Sequence, residues 1–176
     1  MSLKPKKKSD LKKIEEKMKV KASKMASMQH LPPYTMIVSE GIKTEPIYIK
    51  GLVNKVNEKY KNETRNPHIA VYGTGRNTQG LIRFVDSMIN QGKWKHYEKF
   101  WLMYDKDDFP LDNFDNTQFE AEARKKPQMA VAWSNESIEL WFLLYFEDYC
   151  SDNGRKQYIE KLNKYFDYSK KREDLY

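Results

Sequence analysis

The chain has 176 residues, of which 39% are hydrophobic and 14% aromatic, enough for one domain with a real core and too few for two comfortable ones. One cysteine, Cys150, excludes a disulfide framework and a thiolate metal centre within the chain. No apolar run approaches membrane-spanning length and the start lacks a signal peptide's apolar centre, so the predicted setting is cytoplasmic, with no membrane partner.

The net charge of +7 is unevenly placed. Residues 1–30 hold ten Lys against three Asp or Glu, which leaves the rest of the chain with 22 residues of each sign. Residues 1–31 therefore read as a basic N-terminal arm, helical or disordered, with Leu11, Ile14, Met18, Met25 and Met28 forming a loose helical stripe. Such an arm either holds nucleic-acid phosphates or is a solvated leader. Residues 32–176 read as a single α/β domain.

Tyr34–Val38 is predicted as a strand from its β-branched and aromatic content. Ser39-Glu40-Gly41 follows, then a helix capped by Thr44, with Glu45 and Pro46 in its first turn. That helix is expected to reach about Tyr60, with Ile49, Leu52, Val53 and Val56 facing inward. His68–Tyr72 is a second strand, closed by Gly73-Thr74-Gly75. The next helix, to about Asn90, carries Leu81, Phe84, Val85 and Met88 at core spacing. Gly73-x-Gly75 fits no dinucleotide or P-loop fingerprint and reads as a turn, one able to present backbone N–H groups to a phosphate.

Lys99–Tyr104 is a third strand. It runs into Asp105-Lys106-Asp107-Asp108, either an acidic solvated turn or a pair of carboxylates set around a hard cation, Mg²⁺ or Mn²⁺. A helix is expected over Asp115–Lys126. Gln128–Ala132 is a fourth strand, after which Ser134 or Asn135 caps a helix bearing Ile138, Leu140, Trp141, Leu144 and Phe146. Trp101 and Trp141 read as core. Arg155–Phe166 is a last amphipathic segment, and Asp174–Tyr176 reads as the first turn of a further helix, so the domain is expected to continue past the final residue.

Strand and helix alternating four times predicts a three-layer αβα domain with a four-stranded, mainly parallel sheet. Right-handed crossovers would bring Glu40, the Gly73–Gly75 loop, Asp105, Asp107 and Asn135 to one edge, where open α/β sheets bind ligands. Glu40 in that setting is a metal ligand or a proton shuttle. Glu139, one helical turn from Asn135, either reaches the edge or is an exposed helix residue. Glu45 either supports the site from behind or simply stabilises its helix start. Lys43 and Arg76 lie on the same predicted edge and could steady phosphate charge.

A strand ending Glu40-Gly41 and a later strand ending Asp105-x-Asp107 resemble the Toprim pattern. More narrowly, Ser39-Glu40-Gly41-x-Lys43-Thr44-Glu45-Pro46-x-Tyr48, Tyr104-Asp105-x-Asp107 and Asn135-Glu136-Ser137-x-Glu139-Leu140-Trp141-Phe142-Leu143-Leu144-x-Phe146 together resemble the RloB family. The resemblance spans about residues 35 to 166. It departs where Ile138 replaces that family's aromatic residue and Tyr145 its His. A Toprim-like domain implies Mg²⁺- or Mn²⁺-dependent phosphoryl transfer on nucleic acid, DNA or RNA. Asp105 and Asp107 would hold the metal, with Glu40 as ligand or general acid/base; Glu139, from its helical position alone, is a further candidate ligand. The resemblance also implies bacterial phage-defence or restriction loci, with partner proteins from them. Hydrolysis, a nuclease, is the simplest expectation. A catalytically silent scaffold or nucleic-acid-binding subunit, and a nucleotide phosphatase, are the alternatives.

Overall fold

The computed structural model describes residues 8–28, 33–62, 67–106, 111–151 and 153–169. They fall into two units, one ending at Pro32 and the other beginning at Pro33. In the first, α1 (Lys8–Met28) is helical, with Met18 and Val20 of its apolar residues exposed to solvent.

The second unit runs β1 (Thr35–Ser39), α2 (Thr44–Tyr60), β2 (Ile69–Gly73), α3 (Thr78–Asn90), β3 (Lys99–Asp105), α4 (Leu111–Ala123), β4 (Gln128–Ser134), α5 (Ile138–Leu143) and α6 (Gly154–Tyr165). The strands form one all-parallel sheet in the order β2-β1-β3-β4. Central strands of a parallel sheet are covered on both faces, which is why β1 and β3 read as nearly unbroken apolar runs. From β1 the chain steps outward to β2, then crosses back to β3 and on to β4. With right-handed crossovers, that reversal puts α2 on one face and α3 with α4 on the other. Leu81, Ile82 and Val85 of α3 and Ala121 of α4 share one core with Met36, Val38, Phe100, Leu102, Tyr104 and Met129. Burying Phe100 or Leu102 completely stabilises the fold by roughly 1.5–3 kcal/mol each. On the α2 side, the Tyr48 ring meets Phe142 of α5 at 5.0 Å. A second core, Leu143, Tyr158, Leu162 and Tyr168, joins α5 to α6 and the segment after it.

Several predicted details move. Lys43, not Thr44, occupies the cap position of α2, while Glu45 and Pro46 sit in its first turn as expected. Val53 is buried but Leu52 is exposed, so the inner face of α2 is narrower than the apolar pattern suggests. Helix α4 begins at Leu111, four residues ahead of the predicted Asp115, and stops at Ala123. Ser134 and Asn135 do not cap α5. Ser134 stays in β4 with its hydroxyl committed to Asp105, and Ser137 takes the cap position. Trp141, expected in the core, is 52% exposed. Its indole N–H donates to the Tyr48 hydroxyl, 2.8 Å away, which is itself 2.8 Å from the Tyr145 hydroxyl. Five of the six α5 residues are apolar and successive residues point in different directions around a helix, so they cannot all face one core; Leu144 and Phe146 just beyond it are exposed as well. The turn predicted at 174–176 lies outside the described residues.

Candidate functional site

The point where the chain's direction of travel reverses lies between β1 and β3. In doubly wound sheets that position opens a crevice at the carboxyl ends of the two strands. Glu40 is the first residue past β1 and Asp105 the last of β3, and the two strands are direct neighbours. The Glu40 N–H donates to the Met103 carbonyl at 2.8 Å, and the Glu40 carbonyl accepts from the Gly75 N–H at 2.8 Å. Its backbone is thereby pinned between β3 and the β2–α3 loop.

The same loop is tied to β1 twice more. Thr74 donates to the Ser39 carbonyl through both its N–H and its hydroxyl, each at 3.0 Å. A Cβ on Gly73 would lie 2.6 Å from the Gly41 carbonyl oxygen, so glycine is what lets β2 approach this turn. Gly75 adopts a φ of 67°, in the left-handed region. The two glycines thus build the turn itself. The N–H groups of Thr74, Gly75 and Arg76, candidates for holding a phosphate, are used within the protein: Arg76 N–H donates to the Thr74 hydroxyl at 3.0 Å.

Strand alternation sends Phe100, Leu102 and Tyr104 into the α3–α4 core, which gives Asp105 to the opposite face. Asp105 is buried, and one of its carboxylate oxygens accepts from the Ser134 hydroxyl at 2.9 Å, across the β3–β4 pair. Burial pushes the Tyr104 hydroxyl up to about 12, helped by the negative charges of Asp115, Glu122 and Glu40. The Glu40 carboxylate therefore acts on the rim of the α3–α4 core. Asp107 lies outside the described residues. Among the described residues, no group of three or more His, Cys, Asp or Glu is spaced to hold a metal ion.

The other candidates divide. Lys43 is half-buried in the turn after Glu40. Arg76 stands on the same edge, but its guanidinium lies over the Phe84 ring, 5.0 Å from the centroid. Asn135 follows β4 at this edge and is exposed. Glu139 is fully buried: its Oε2 is 3.1 Å from Arg155 Nε, and its Oε1 accepts from Arg155 Nη2 at 3.3 Å and from the Tyr168 hydroxyl at 3.1 Å. Glu45 lies close enough for the charges of Glu139 and Arg155 to act on it. Its side chain also packs under Gly41, where a Cβ would come 2.1 Å from Oε2. Burial raises the Glu45 pKa above the usual 4.5, and Glu139 adds to the rise. Its own backbone N–H, Arg155 and the Gly41 N–H oppose it. The sequence reading missed Ser134 as the partner of Asp105 and Arg155 as the partner of Glu139. The one signal available for Arg155 was that a buried Glu amid Leu140-Trp141-Phe142 needs a cation.

No curated protein and no solved structure matches the chain. The family model described as RloB-like protein matches residues 35–176, which take in the sheet and helices α2 to α6. The chain belongs to the RloB-like protein family.

Proposed function

We propose that this is a Toprim-like domain that carries out divalent-metal-dependent phosphoryl transfer on nucleic acid, most simply phosphodiester hydrolysis, in bacterial phage defence or restriction. The observation that carries this reading is that Glu40, just past the end of β1, and Asp105, the last residue of β3, lie at the carboxyl ends of neighbouring parallel strands at the switch point of the sheet. Both are hard oxygen donors suited to Mg²⁺ or Mn²⁺, and such ions are commonly held by one or two carboxylates with water completing the shell. Because alternation gives Asp105 and Tyr104 to opposite faces, the carboxylates would hold the ion from the rim, beyond the last strand residues. When bound, the ion polarises a phosphodiester and lowers the pKa of an attacking water. Ser134 fixes one oxygen of Asp105, which presets its orientation. Glu40, its backbone held at both N–H and carbonyl, would take or return a proton. Asp107 is the proposed third carboxylate, and Lys43 would meet phosphate charge on the same edge.

A second reading, a catalytically silent scaffold or nucleic-acid-binding subunit, is favoured by the zero net charge of the chain beyond residue 30. An independent nuclease usually offers a basic groove. The test is thermal melting with increasing Mg²⁺ or Mn²⁺, wild type beside Asp105→Asn. At a free metal concentration 100 times Kd, the wild type is expected to gain about 2.7 kcal/mol, and the variant much less. Incubation with single- and double-stranded DNA and RNA and Mn²⁺ then separates cutting from binding. Silence of the wild type to millimolar metal leaves the scaffold reading.

A further inference from the structure

The opposite edge of the sheet, where the strands begin, holds a cleft of about 610 Å³. It lies where α3 ends and where β3 and β4 start, the far side of the molecule's sheet from Glu40 and Asp105. Trp94, Tyr97 and Pro127 contribute apolar surface to it. Lys95, Lys99, Lys125 and Lys126 line it, against a single carboxylate, Glu98. Its walls are part of the framework. Glu98 N–H donates to the Tyr34 carbonyl at 2.8 Å, and Gln128 N–H to the Glu98 carbonyl at 3.3 Å.

Four cations around one concavity repel one another unless an anion joins them. No ion pair among the described residues involves any of the four. Lys99 lies over the Trp101 ring, 4.9 Å from its centroid. Two carboxylates of α3 and α4, Asp86 and Glu120, pair instead with Arg124 at 2.5 and 2.8 Å. The carbonyl ends of α3 and α4 attract positive charge, but that effect fades within the last turn, and Arg124 stands nearest the end of α4. Three or four positive charges over an apolar, aromatic floor match a ligand that has both an aromatic ring and a phosphate chain. Pockets of this size hold small molecules of that kind.

We propose that this cleft is a second binding site, independent of the Glu40–Asp105 edge, for a nucleoside phosphate, either a free nucleotide or the phosphorylated end of a nucleic-acid strand. ATP, inorganic tripolyphosphate and 5′-phosphorylated oligothymidylate are titrated against the full chain by calorimetry. The charge-reversed pair Lys125→Glu/Lys126→Glu is compared with Lys50→Glu/Lys55→Glu, two exposed lysines of α2 remote from the cleft. Wild type is expected to bind ATP more tightly than tripolyphosphate, and binding should weaken with salt. The cleft pair should lose at least about tenfold in affinity while the α2 pair keeps it. Asp105→Asn should bind ATP like wild type, which separates this site from the proposed metal edge. Displacement of ATP by the oligonucleotide makes a strand end the ligand; lack of displacement makes it a free nucleotide; both support the cleft. Should Lys125→Glu/Lys126→Glu fail to fold, Lys95→Glu/Lys99→Glu on the other wall replaces it with the same expectation. Absence of ATP binding at millimolar concentration, equal affinity for tripolyphosphate and ATP, or equal losses in the cleft and α2 pairs overturns the proposal.

Discussion

Glu45 shows how a single side chain can mean one thing in the sequence and another in the fold. At the first turn of a helix, an acidic residue is explained by the helix dipole alone. In the structure its carboxyl is buried under Gly41, within reach of the Glu139 and Arg155 charges, and its pKa is raised chiefly by burial. A carboxyl that holds its proton more tightly folded than unfolded contributes stability below its unfolded pKa. That contribution is lost as pH climbs through the raised folded value. Glu45→Gln cannot ionise, so its melting temperature relative to wild type should rise between pH 4.5 and neutrality. Melting curves across that range check the sign. A difference that stays flat or falls means that Arg155 and the backbone N–H groups outweigh burial.

Between elements, the junction of α5 and α6 depends on an ion pair with unequal partners. Glu139 is fully buried, while the Arg155 side chain is 36% exposed. Removing the cation strands a carboxylate with no water to solvate it; removing the carboxylate leaves a guanidinium that solvent can reach. Arg155→Met should therefore cost about 3–5 kcal/mol at neutral pH, as broken buried pairs do. Glu139→Gln, which keeps the shape and an acceptor for Tyr168, should cost roughly 1–2 kcal/mol. Urea unfolding of the two variants checks the order, and a reversal would show that Glu139 does not need its partner. The helical pattern of α6 was readable in the sequence through Tyr158, Ile159, Leu162 and Phe166, but its pairing with α5 through Arg155 was not. Sixteen residues separate Arg155 from Glu139, and no local spacing rule connects them.

At the level of the whole chain, the charge is divided between an arm and a neutral remainder. Deleting residues 1–31 is expected to flatten the salt dependence of any nucleic-acid binding, by about 0.9 in the log–log slope for each lost duplex phosphate contact. Any rise in melting temperature that Mn²⁺ induces in the full chain should survive the deletion. Binding measured at several salt concentrations, with and without the arm, checks this. An unchanged slope would place the phosphate contacts on residues 32–176.

The sequence by itself determined the alternation of strand and helix, and hence a parallel sheet with Glu40 and Asp105 at its carboxyl edge. Those features rest on local periodicity and on the near-universal handedness of crossovers, both of which neighbouring residues carry. Only the tertiary structure decided the strand order β2-β1-β3-β4, which makes β1 and β3 neighbours at the switch point. It also exposed Trp141, joined Ser134 to Asp105, and buried Glu139 against Arg155. These outcomes depend on which surfaces meet at long range. A residue's own neighbours in the chain cannot say whether water, an aromatic ring or a counter-charge will face it.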